Sequence, residues 1–270
     1  VSDFILFDPM FRQPFFIGLL LAISLSVIGA YLRMRDEWLA AMGLSHMAAA
    51  GGIAALPIGI PALVGALLFA GLAALIKGLL PRASNSHYGL MLILGWGGAL
   101  MLAANTHQGE VVGEALLRGQ LYFTSTPHLI GAIGLTLVLF ASLNWLSPRL
   151  LTERFFPDYF SANRLAVWPH RLLFGVLVVF AAVLGTLAMG AMAAFAMFFI
   201  PPWVAFVLVQ GWRKALLLTV ILAISAYVAA FVLSMVLDQP FGPSLAVALV
   251  AVASLRLLAN RAARTSGAPD

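Results

Sequence analysis

Charged side chains in this chain are confined to short breaks between long apolar runs, and that spacing leaves one kind of fold open. A run able to cross a bilayer needs roughly 17–25 apolar residues. The sequence offers nine: 15–32, 38–56, 61–80, 88–105, 128–147, 171–188, 190–209, 215–237 and 243–259. Hydrocarbon holds no water to satisfy backbone groups, so each run must close its own hydrogen bonds as a helix. Only 9% of residues are charged, against roughly 25% in a soluble domain. The sequence therefore predicts an all-α polytopic membrane protein, one transmembrane domain over residues 1–270, with about nine spans. Eight is the alternative, because Pro201-Pro202 interrupts 190–209 and would leave one segment re-entrant or broken.

Lysine and arginine fix the expected orientation. With the N-terminus outside, the inner loops collect 13 of the 15 basic residues, and only Arg12 and Arg118 remain outside. This predicts a periplasmic N-terminus and a cytoplasmic C-terminus, and an odd number of spans. The net charge of +5 then belongs to membrane placement, so no nucleic-acid partner is expected. Residues 1–8 carry two aspartates and no basic run, which argues against a cleaved signal peptide. Without cysteine, disulfides, iron–sulfur clusters and thiolate metal sites are excluded. All ten carboxylates fall outside the nine runs, which counts against an intramembrane proton relay. There is no Walker motif, GxSxG or HExxH. No catalytic residue and no permanently bound cofactor are expected; the chain reads as a non-enzyme.

The segment RMRDEWLAAMGLSHMAAAGGIA, residues 33–54, departs from this apolar background. A charged turn (Arg33, Arg35, Asp36, Glu37) leads into a helix that carries one ionisable side chain, His46. An imidazole at that depth is costly unless it faces other protein or a wet path. Helical spacing sets Met42 and His46 on one face, with Ser45 adjacent. A thioether, an imidazole and a hydroxyl can meet a transition metal in passing, without an anionic ligand to hold it.

Two loops are long enough to matter. The outer one, 105–127, contains GEVVGEALLRGQL, with Glu110 and Glu114 four apart, and reads as a short interfacial helix. Its His107, Glu110 and Glu114 could also hold a metal weakly. The inner one, 148–171, mixes aromatic and charged residues between Pro157 and Pro169. Such an amphipathic segment suits docking of a soluble subunit or anchoring at the interface.

Four pieces in order then carry a resemblance: the charged turn leading to Leu44-Ser45-His46; Leu117-Arg118-Gly119-Gln120-Leu121 followed by Thr126-Pro127; Phe198-Phe199-Ile200-Pro201; and Asp238-Gln239-Pro240-Phe241-Gly242-Pro243-Ser244. Over roughly residues 15–258 the chain resembles the permeases of manganese/zinc/iron-type ABC importers. The resemblance implies a homodimeric pore in a bacterial inner membrane, surrounded by lipid. It also implies two cytoplasmic ATP-binding subunits and a periplasmic metal-binding protein that delivers the transported ion. ATP would act through the partner. Residue by residue, it implies metal contact at His46, with Met42 and Ser45 lining the path. Coupling to the ATPase would fall at Pro157, Asp158, Ala162 and Arg164, and docking of the binding protein at Glu110, Glu114 and Arg118. Helix breaks are expected at Pro201, Gly242 and Pro243.

Three departures from the family pattern are informative. The family's Gly-Asp pair before the histidine is Ala41-Met42, an acidic residue before the fourth span is Asn85, and a usual glycine in the coupling segment is Arg164. A bare divalent ion in low dielectric wants a carboxylate. The loss at Met42 opens a second reading, the same fold importing a metal chelate such as siderophore-bound iron. A third is a membrane scaffold with no transport path.

Overall fold

The computed structural model describes the backbone of residues 9–79, 85–106 and 119–265. Each predicted run becomes a helix: α1 (Pro9–Met34), α2 (Leu39–Ala55), α3 (Ala62–Leu79), α4 (Asn85–Asn105), α5 (Thr126–Phe155), the single turn α6 (Tyr159–Ala162), α7 (Trp168–Met189), α8 (Ala191–Leu208), α9 (Trp212–Val236) and α10 (Phe241–Thr265). Among the described residues there is no strand. Among the described residues eight helices are long and apolar enough to cross a membrane, namely α1–α5 and α7–α9. The ninth run, α10, contributes a shorter apolar stretch, Phe241–Leu257.

Two helices organise the bundle. The first, α1, touches α5, α7, α8 and α9, while α2 is wrapped by α3, α4, α7 and α8. Small side chains make this possible. From Ala48 to Gly52 the α2 sequence is Ala-Ala-Ala-Gly-Gly and wholly buried, so neighbouring backbones approach closely without side-chain bulk between them. Much of α3, α4 and α5 is left exposed, with apolar side chains such as Leu94, Met101 and Leu137 facing outward. Exposed leucine is the expected face toward lipid or another membrane chain.

Two expectations need correction. The break at Pro201 is absent, and α8 runs unbroken through Pro201 and Pro202. Pro202 removes the bond to the carbonyl four residues back, which frees the Phe198 carbonyl. That oxygen lies against α1 at Gly29, where an added Cβ would clash with it. The helix survives because α1 packs directly over its weakened turn, as transmembrane bundles allow. The fifth span was expected to end at residue 147. Instead α5 continues through Pro148 to Phe155, about 45 Å at 1.5 Å per residue. Its last two turns project beyond the apolar run and carry Glu153 into the loop region. Gly242 and Pro243 sit in the first turn of α10, where a proline sacrifices no helical bond.

Candidate functional site

His46 lies in the second turn of α2, 3% exposed. Its Nδ1 is 2.9 Å from the Met42 carbonyl oxygen. A carbonyl only accepts, so Nδ1 carries the proton and Nε2 keeps its lone pair, the form of imidazole that binds metals. Nε2 has no hydrogen-bond partner among the described residues. The backbone of this turn is clamped from two sides. An added Cβ at Gly95 of α4 would fall 2.6 Å from the His46 carbonyl carbon. Thr186 of α7 donates from Oγ1 to the Ser45 carbonyl at 3.4 Å. The Ser45 hydroxyl is fully buried and has no partner among the described residues. Met42 is half-buried one turn earlier. The three residues singled out from the sequence are therefore contiguous on α2, but no acidic side chain joins them. Among the described residues no three His, Asp or Glu side chains cluster closely enough to hold a metal ion.

The charged turn has a different character. Arg35 donates from Nη1 to Glu153 Oε2 at 3.0 Å, with Nη2 3.5 Å from Glu37. His170 Nε2 lies 3.0 Å from the same Glu153 oxygen, and Arg171 donates from Nε to the other at 2.5 Å. Lys77 at the end of α3 reaches Glu37 at 3.4 Å, and Arg154 pairs with Asp36. Asn85 donates to the Asp36 carbonyl at 2.7 Å and stands 3.4 Å from the Leu39 amide, which ties the start of α4 to the α1–α2 turn. Asp36 sits there at φ 58°, a left-handed geometry that aspartate tolerates better than most residues. Glu153 thus accepts from three cationic or imidazole donors on α1 and α7. It was not singled out from the sequence, because its Arg35 partner lies 118 residues away.

This knot adjoins the exposed segment between α5 and α7. Pro157, Asp158, Ala162 and Arg164 are all exposed there, together with large apolar side chains: Phe155, Phe156, Tyr159, Leu165 and Trp168. Phe160 turns inward and lies 5.0 Å, ring to ring, from His170. A continuous path of contacts therefore runs from α6 through Phe160, His170, Glu153 and Arg35 to the start of α2. Arg164, standing where the family pattern has glycine, adopts φ 55°. Glycine takes that conformation without the Cβ clash an arginine meets. Glu110, Glu114 and Arg118, and the interfacial helix expected around them, lie outside the described residues, as does His107.

Comparison with solved structures places the fold. The chain superposes on "PsaBC from Streptococcus pneumoniae in complex with Fab" with a TM-score of 0.79 at 17% identity, covering 95% of this chain and 93% of that one. The structure described as "An inward-facing conformation of a putative metal-chelate type ABC transporter" matches with a TM-score of 0.71 at 15% identity, covering 95% and 91%. At such identities the likeness establishes the architecture alone. No match is found among curated proteins. The sequence itself matches the family model over residues 8–260. The chain belongs to the ABC 3 transport family, whose members are the transmembrane permease subunits of ABC transporters, with ATP hydrolysis assigned to a separate subunit.

Proposed function

We propose that this chain is the permease of an ATP-driven importer that carries a transition metal ion (zinc, manganese or iron) from a periplasmic binding protein to the cytoplasm. The observation that carries this reading is the buried His46, held by Met42 in the metal-competent tautomer with Nε2 unclaimed. Two copies form the pore, with the α1–α2 turn and the α5–α7 segment on the cytoplasmic side. The exposed aromatic residues of that segment receive the ATP-binding subunit. Its motion passes through Phe160, His170, Glu153 and Arg35 to α2, so that rocking of the segment opens or closes the turn carrying His46. Glu110, Glu114 and Arg118 receive the binding protein. The path is wet where it passes Met42, since a divalent ion without a carboxylate needs water to replace it.

A second reading has specific support. Met42 stands where a carboxylate is usual, no acidic cluster reaches His46 among the described residues, and one structural neighbour is described as metal-chelate type. A chelate carries less charge and needs no anionic ligand. Nothing favours the scaffold reading. The test is reconstitution of the chain with its ATP-binding subunit and binding protein in liposomes. ATP-dependent uptake of free zinc, manganese or ferrous ion is expected. Uptake of a ferric chelate alone would select the second reading, and hydrolysis with no metal uptake in either form would overturn both.

A further inference from the structure

A cavity of about 890 Å3 opens between α3 and α7, floored by Leu32 of α1 and Leu44 of α2. None of His46, Met42 or Ser45 lines it, so it stands apart from the path proposed above. Its walls are apolar and open to the side, with Leu75, Leu172, Val176 and Phe180 exposed. Its rim is charged: Arg35, Lys77 and Arg171 against Glu37, and with Glu153 paired to both arginines a surplus of one positive charge remains. Three glycines line it, Gly71 and Gly78 on α3 and Gly175 on α7. A Cβ added at any of them would meet nothing within 4 Å. Glycine weakens a helix relative to alanine, and no close contact among the described residues accounts for it at these three places.

We propose that this groove holds one anionic phospholipid, its acyl chains between α3 and α7 and its phosphate at Lys77 and Arg171. The rim supplies the charge complementarity. Arg171 spends its Nε on Glu153, yet its side chain is 55% exposed, leaving the outer guanidinium edge for a phosphate oxygen. Lys77 spends one donor on Glu37 and lies 5.2 Å from the Tyr88 ring centre, which holds the ammonium at the mouth. Trp168 stands exposed beside it, the residue type that settles at headgroup level. Basic recesses between helices are recognised seats for such headgroups. A second copy packed here about a two-fold axis would bring the same positive rim toward itself, which argues against self-association through the groove.

The purified complex, stripped of lipid and titrated with phosphatidylglycerol or phosphatidylcholine, tests this by native mass spectrometry. One phosphatidylglycerol should be retained at least ten-fold more strongly than phosphatidylcholine. Lys77→Gln and Arg171→Gln should each remove most of that preference. Gly71→Leu with Gly175→Leu points bulk into the groove from positions where an added Cβ meets nothing within 4 Å, and should expel both lipids from an assembled complex. Equal retention of the two lipids, or undiminished phosphatidylglycerol in the groove-filled protein, would overturn the assignment.

Discussion

The two ends of one short stretch, residues 35–46, solve opposite problems. At the charged turn, Arg35 finds Glu37 and Glu153, and Glu153 in turn serves His170 and Arg171. Two to three turns deeper, His46 uses one ring nitrogen on its own helix and leaves the other open, beside a buried serine hydroxyl with no described partner. Buried polar groups are ordinarily satisfied, and each exception asks for a reason. The charged turn pairs its charges within the chain, with Arg35 Nε the one atom of the cluster that is buried without a described partner; the mechanical role proposed for it is to join α1, α3, α5 and α7 into one unit. The His46 turn leaves Ser45 Oγ without a partner among the described residues, and the proposed function has passing cargo meet it there.

Breaking the completed end should have the largest effect on the fold. Glu153→Ala leaves Arg35 and Arg171 facing each other with no carboxylate between them. Removing one member of a buried ion cluster is expected to destabilise by roughly 3 kcal/mol or more, read as a fall in the melting midpoint of the solubilised protein. In the assembled transporter the same change should uncouple hydrolysis from cargo. A variant that melts and couples normally would erase the mechanical half of the contrast.

An intermediate effect is expected where α1 shelters the proline turn of α8. Gly29→Ala drives a Cβ into the Phe198 carbonyl, and forcing two packed helices apart typically costs about 1–3 kcal/mol. A lowered midpoint with unchanged cargo selectivity would sharpen the contrast, since this contact belongs to neither end. The smallest effect should come from Arg164→Gly. Relief of the left-handed strain at φ 55°, offset by glycine's greater freedom when unfolded, leaves a gain of about 0.5 kcal/mol. That corresponds to a rise in midpoint of about 1–2 °C for a chain of this size.

The sequence made the helices legible because hydrophobicity over some 20 residues is a local property, and every run predicted became a helix. Their ends were less legible. Proline reads as a terminator by its own chemistry, yet Pro148, Pro201 and Pro202 all lie inside helices, because what replaces their missing bonds is tertiary. Arg164, expected from the resemblance to replace a glycine, is one of three non-glycine residues at positive φ among the described residues. His46, Met42 and Ser45 were singled out because an ionisable group in an apolar run is conspicuous by itself. Glu153 and His170 were not, since each looks like an ordinary loop charge until distant segments meet. The groove between α3 and α7 was invisible for the same reason, its walls being drawn from helices about 100 residues apart.

The central claim is that cargo passes His46, and one substitution addresses it directly. In liposomes carrying the full transporter, His46→Ala should reduce ATP-dependent metal uptake by at least a hundred-fold, while the complex still assembles and hydrolyses ATP. Uptake at the unsubstituted rate by that variant would show that the open nitrogen faces no cargo, and would leave the chain with a fold and a family but no assigned path.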